Sequence, residues 1–435
     1  MRDLILILSL LGCLGLTLRY PFAGVLAWAW LACMNPHQEV YGLSREIPLN
    51  LIVAIVTIIA WLFSKERKLP PLDGTTWMLL ALLAWMTFNT FFAADPAYSW
   101  PYWDRTWRII ALGVVVGIMA TNQVRIHALI WVVCTSLLYY GVKGGLLTFL
   151  TGGTKYITGP ANTTLADNNA LAVALLMILP LLNYLRLHTA NRWLRVGLAA
   201  TGFLSFVSLL GSYSRGGYLA LASLTGIGWM RSRKKILFLV LLTVALVPML
   251  YFMPQSFYDR VNTLSSPGDD PSFQSRLMSW KVAYFYAIDH FPFGAGFYAI
   301  NLPEVYHLYF PDSTTHVAHS VYFQMIGEHG FVGFALYMVI LYLAFRNCSQ
   351  IRRATKNREE FTWAHDLATM IQLSLVAFCV GGAALSIAFY DVFIVWVCLL
   401  PMLRNLVTQP FKAEVTRRKF QPGPLELAPR YEPTR

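Results

Sequence analysis

Apolar residues gather along the chain in long runs, separated by short junctions rich in charge, glycine or proline. The runs fall near 4–18, 21–34, 47–63, 75–93, 108–121, 126–150, 168–185, 196–213, 217–230, 236–253, 320–345, 367–386 and 388–408. A bilayer is crossed by about 20 apolar residues in a helix, so the pattern predicts an all-α polytopic integral membrane protein with about 12 transmembrane helices. The first two runs are short and meet at Arg19, Tyr20 and Pro21. They read as two short helices or as one broken segment, which leaves the side of the N-terminus open. The expected organisation is a bundle over 1–253, a large outward loop over 254–318 containing an amphipathic helix, further transmembrane helices over 319–408, and a basic cytoplasmic tail over 409–435. That tail is polar and Pro-rich, and is expected to lack regular structure.

Composition reinforces this reading. Of 435 residues, 57% are hydrophobic and 13% charged, against about 45–50% and about 25% in soluble domains. A soluble enzyme, a disordered chain, a collagen-like rod and a disulfide-stapled secreted scaffold are excluded. The net charge of +12 would suggest nucleic acid in a soluble protein, but here it follows the excess of Lys and Arg in cytoplasmic loops. Basic junctions surround Lys65, Arg67 and Lys68, Arg186 to Arg195, Arg231 to Lys235, and Arg346 to Arg358, and the tail carries Arg417 and Arg418. The alternate junctions are poor in Lys and Arg. The segments 94–107, 151–167, 212–217 and 254–318 are therefore expected to face outward. The six cysteines form no C-x-x-C pair, and there is no GxGxxG, Walker loop or EF-hand.

Outward features of three kinds exceed what a plain bundle needs. Ser212-Tyr213-Ser214-Arg215-Gly216-Gly217-Tyr218 joins two apolar runs. An arginine beside two glycines at a helix start can seat a phosphate on a guanidinium and backbone N–H groups. It also reads as an interfacial anchor with a flexible turn. Next, Phe273 to Lys281 includes Arg276 and Trp280, and Leu277, Trp280, Tyr284, Ala287 and Ile288 recur at helical spacing. This predicts an amphipathic helix along the membrane, stopped by Pro292 and Gly294. Arg276 could point at an anion or simply be solvated. Finally, His316-Val317-Ala318-His319-Ser320 opens a long apolar run that continues through Glu328 and Gly330. His319 suits a general base acting on a hydroxyl. His316 and His319 could share a metal, but a catalytic zinc needs a further ligand. Glu328 reads either as a functional intramembrane acid or as a partner of a neighbouring helix.

These motifs, in this order, resemble one family. Ser214-Arg215-Gly216-Gly217 is followed by Arg276-Leu277-x-x-Trp280, a turn with Pro292, Gly294 and Gly296, and His319-Ser320-x-Tyr322-x-Gln324 leading to Glu328 and Gly330. The set is similar to the O-antigen ligase and polymerase superfamily, and within it most resembles the ligases and the exosortase-associated O-glycosylation ligases. The likeness covers about residues 150–345 by motif and the whole chain by span pattern. Ser320 departs from the pattern, since many members carry Asn there.

The resemblance implies an inner-membrane enzyme with a periplasmic active site. It implies transfer of a glycan from undecaprenyl pyrophosphate to a hydroxyl of lipid A–core or another acceptor, by metal-independent inverting glycosyl transfer without a cofactor. Membrane lipids are the remaining partner, and no nucleic acid is expected. Arg215 and Arg276 would neutralise the pyrophosphate and His319 would take the hydroxyl proton. Gly216, Gly217, Tyr213, Trp280, Asp167 and Asn168 would share in substrate binding, although Asp167 also reads as an N-cap and the aromatics as an interfacial belt. Arg105 and Arg108 could meet acidic acceptor groups or anchor the interface. An O-antigen polymerase or a protein O-oligosaccharyltransferase is the nearest alternative. A carrier of lipid-linked glycans is a more remote one, with Lys143 beside Gly144 and Gly145 as its best support.

Overall fold

The computed structural model describes residues 2–65, 73–231 and 271–420, with isolated positions between 234 and 258. The expected span 236–253, the loop residues 259–270 and the tail 421–435 lie wholly or largely outside the described residues. Among the described residues every regular element is helical. The helices are α1 (Arg2–Arg19), α2 (Pro21–Met34), α3 (Leu49–Phe63), α4 (Gly74–Phe91), α5 (Pro96–Met119), α6 (Gln123–Thr151), α7 (Asn168–Leu187), α8 (Arg192–Leu210) and α9 (Arg215–Arg231). After the undescribed stretch come α10 (Pro271–Asp289), the short α11 (Pro303–Tyr306), α12 (Val321–Ala354), α13 (Thr362–Gly382) and α14 (Asp391–Phe420).

Six of the described helices are long and apolar enough to cross a membrane: α6, α7, α8, α12, α13 with the turn before it, and α14 up to Thr408. Helices α2 and α3 are apolar but shorter. The break at Tyr20 and Pro21 separates two helices, which settles the first ambiguity. Pro21 opens α2 where its missing N–H costs nothing.

Two helices form the centre. Residues Ala170–Ile178 of α7 and Val392–Leu400 of α14 are buried on every side, as their unbroken apolar sequence demands. Around α7 pack α6, α8, α9 and α13, while α14 packs on α5 and α12.

Polar contacts gather at the two ends of this bundle. At one end Arg404 bonds Asp73 (3.0 Å) and Asn347 (2.8 Å), and His188 meets Asp366 (3.0 Å). At the other, Arg105 bonds Thr164 (2.6 Å), Asn168 bonds the Ser212 carbonyl (2.6 Å), and the Ala94 N–H reaches Ala295 (2.8 Å). The junctions 151–167 and 212–217 and the described end of the large loop thus share one end.

Several expectations need correction. Much of 94–107 is helix rather than loop: Asp95 caps the Tyr98 N–H and Pro96 begins α5. Helix α10 forms as expected, but its buried face is Ser279, Val282, Ala283, Tyr286 and Ala287, while Tyr284 and Ile288 are exposed. That face closes a small second core with Ala295, Ile300, Val305, Tyr306 and Ala318, which roofs the start of α12. The last helix continues to Phe420, past the Gln409 boundary where regular structure was expected to end.

Candidate active site

Arg276, Ser279 and Trp280 stand at i, i+3 and i+4 on α10, so they share a face. Ser279 donates to the His316 carbonyl (3.0 Å), and Trp280 Nε1 donates to the Ala318 carbonyl (2.6 Å). The Trp280 ring stacks on Phe323, with centroids 4.9 Å apart and planes within 7°. Helix α10 therefore grips the extended stretch before His319 and brings Arg276 alongside. Trp280, expected among the substrate contacts, spends its indole N–H on this grip.

His319 is half-buried and sits at φ 43, in the left-handed region that side chains rarely adopt. Tyr213 shares that conformation at φ 56. Such residues persist where their surroundings hold them, often at functional sites. Burial and the Arg276 guanidinium hold the His319 imidazole below the usual histidine range, with a smaller push from His316 in the same sense; Asp167 opposes them. The structure thus brings Arg276, His316 and Asp167 within electrostatic reach of His319. A neutral imidazole near neutral pH is the form a general base requires.

Arg215 begins α9, half-buried, on the turn pinned by Asn168. Gly216 faces Ala384 (a Cβ would lie 3.1 Å from its Cβ) and Gly217 faces Ala172 (3.0 Å). The Gly217 N–H donates to Ser214 Oγ (2.9 Å), so this amide is already committed. Both glycines thus serve close packing, and an anion at this turn would rely on the Arg215 side chain more than on the Gly217 amide. Tyr213 is buried, with its hydroxyl donating to the Gly153 carbonyl. It ties the 151–167 junction to the Arg215 turn. Asp167 caps α7 through the Ala170 N–H (2.9 Å), as its position predicts.

The link from Arg215 to His319 runs through the end of α13. Gly381 and Ala384 flank Gly216, Gly382 faces Val321, and the Tyr322 hydroxyl donates to the Cys379 carbonyl (3.0 Å). His316 Nε2 is paired with Thr314 (2.9 Å). Among the described residues no three His, Cys, Asp or Glu side chains cluster as a metal set. Lys143 pairs with Glu39 (3.1 Å) in an exposed contact.

Glu328 and Gly330 belong to a different arrangement, invisible in the motif. Helix α12 breaks at Gly330, where φ is 67 and ψ −177. The Phe291–Gly296 turn fills the break. Ala295 and Gly296 donate to the Gly327 (2.8 Å) and Glu328 (2.9 Å) carbonyls. Asn89 bridges both partners: its Nδ2 donates to Glu328 O (2.8 Å) and its Oδ1 accepts from Gly294 N (2.9 Å). Trp85 donates to the His329 carbonyl (2.8 Å). A Cβ on Gly294 would collide with the Glu328–His329 backbone, and one on Gly330 with the backbone of Pro292 and Phe293. Glu328 itself is buried and held by Gln324 (3.4 Å).

Comparison with known proteins follows the same division of the chain. Residues 1–190 match a family of unknown function, DUF5935. Residues 199–338 match the O-antigen ligase family, and this segment contains Arg215, Arg276 and His319. None of the curated proteins compared matches the chain. The matched segment 199–338 is thus similar to the O-antigen ligase family, and it includes the greater part of α12, a helix long and apolar enough to cross a membrane.

Proposed function

We propose that this protein is an O-antigen ligase of the bacterial inner membrane, with its active site facing the periplasm. The observation that carries the reading is the grip of α10 on residues 316–318, which sets Arg276 beside His319 inside the matched domain. The orientation rests on charge: Arg186, Arg346, Arg352, Arg358 and Arg404 lie toward the end opposite His319, as cytoplasmic residues should.

In the proposed step, an acceptor hydroxyl of lipid A–core attacks the anomeric carbon of a glycan carried on undecaprenyl pyrophosphate. The new oxygen–carbon bond forms on the face opposite the departing phosphate oxygen, so configuration inverts. The carbon–oxygen bond to phosphate breaks and its electron pair leaves with the pyrophosphate. His319 receives the hydroxyl proton. Arg215 and Arg276 stabilise the charge developing on the leaving group. Pyrophosphate is itself a competent leaving group, so the step calls for neither nucleotide nor metal. Asp167 and Asn168 border the site, and Tyr213, Gly216, Gly217 and Trp280 hold its walls in place.

The test uses the purified full chain in lipid nanodiscs, with lipid-linked donor and lipid A–core acceptor. Glycan transfer should occur with chelator present. Arg276→Ala and Arg215→Ala should each slow turnover, on the order of 10²-fold, and Arg276→Ala should move the activity inflection to higher pH. Full turnover in both variants would sink the reading. Elongation of the donor's own glycan without lipid A–core would make the protein a polymerase instead, and loss of activity to chelator would argue for a metal.

A further inference from the structure

Helix α10 is apolar on two opposite faces, and the protein covers one of them. Val282, Ala283 and Tyr286 close the second core. On the other side Tyr284, Phe285 and Ile288 are 44%, 43% and 47% exposed, and Phe291, just past the helix end, is 67% exposed. The stripe expected from sequence mixed the two faces: Ala287 and the Trp280 N–H turn to the protein, whereas Tyr284 and Ile288 turn away. A helix apolar all round is normally buried, and a large uncovered apolar surface marks a place that meets something.

The uncovered face is continuous with the outward flank of a helix long enough to span. The Tyr284 ring stands edge-on to Phe331, with centroids 6.0 Å apart and planes at 85°. From Phe331, positions Ala335, Met338 and Tyr342 follow at i+4, i+7 and i+11 along one side of α12, and these three are exposed. Helix α12 is long and apolar enough to cross a membrane, so acyl chains meet this flank. Beyond the other end of α10, Phe293 stacks on Phe92 (4.8 Å) and packs against Phe88 (5.7 Å), and both of these are exposed. The face of α10 therefore runs between two lipid-suited edges of the bundle.

Charge fits the same surroundings. Lys281 is exposed on this side, one turn before Tyr284 and Phe285. Its stem can lie along the rings while the ammonium reaches a phosphate. The single acid of α10, Asp289, accepts from the Tyr309 hydroxyl (2.7 Å).

We propose that the outward face of α10 docks on phospholipid of the leaflet at the site end, at the boundary between headgroups and acyl chains. One side of the helix then grips residues 316–318 and the other grips the membrane, so lipid sets the height at which Arg276 stands beside His319. The proposal does not depend on which reaction the site performs.

The experiment places p-benzoylphenylalanine singly at Tyr284, Ile288 and Phe291. Met338 on α12 serves as the lipid-facing reference, and Asp312, an exposed acid of the outer loop, as the aqueous one. The full chain is reconstituted in liposomes of phosphatidylethanolamine and phosphatidylglycerol without polyprenyl lipid, irradiated and analysed by mass spectrometry. All five positions are exposed, so unfolding midpoints should match the parent's. Phospholipid adducts at two or more of the three α10 positions should come within about threefold of Met338 and exceed Asp312 about tenfold. Any smaller yield would overturn the proposal. Crosslinks to a second copy, or to another segment of the same chain, in place of lipid would overturn it too, and would name the true occupant of the face.

Discussion

The opening of α12 contains two regions that follow closely in sequence and are held in opposite ways. Around His319 the chain is half-exposed, carries charge, and is held by side chains of α10. Around Gly330 it is buried, and its broken backbone is repaired by the 291–296 turn with Asn89 and Trp85. Both belong to one motif. The first region keeps a side chain available, whereas the second spends Asn89, Trp85 and the backbone of the 291–296 turn on holding a buried kink, where unpaired backbone groups are costly. A shared pattern of residues thus leaves a side chain available at one end and builds architecture at the other.

Substitutions on each side should separate in their readouts. The largest effect belongs to His319→Ala: turnover should fall about 10²- to 10⁴-fold, with thermal unfolding in nanodiscs unchanged. Retained transfer would remove the base from the site. Gly330→Ala should do the reverse. Placing a side chain at φ 67 against the Pro292–Phe293 backbone should cost about 1–3 kcal/mol for the conformation alone, seen as a lower unfolding midpoint. Whatever folds should bind donor normally. A variant as stable as the parent would mean that the kink relaxes freely.

The smallest effect sharpens the electrostatic half. The proposed step requires neutral His319, so activity should rise with pH through an inflection below the ordinary 6.5. Asp167 raises this pKa. Asp167→Asn keeps a capping side chain for α7 and should shift the inflection by less than about one unit toward acid. A shift toward alkali would show that Asp167 does not act on His319 by charge.

Much of this was legible in sequence for identifiable reasons. Long apolar runs announced α6, α7, α8, α12, α13 and α14, because a bilayer leaves a backbone few alternatives. Arg276 and His319 stood out because charge beside apolar runs is rare. Asp95-Pro96 was a readable helix start, overlooked beneath the aromatic residues that follow. The buried face of α10 was misjudged because aromatics occupy both of its sides, and periodicity cannot tell a protein-facing Tyr286 from an exposed Tyr284. The Gly330 repair was beyond reach, since Asn89 and Glu328 are 239 positions apart.

The Asp73–Arg404 bridge joins positions 331 residues apart. During synthesis the early carboxylate must wait at the membrane surface until almost the entire polypeptide has left the ribosome. Asp391, on the same late helix, completes the wall around Arg105. A nascent chain cut short before this helix would therefore leave Asp73 without its Arg404 partner and the start of α4 untied from α14.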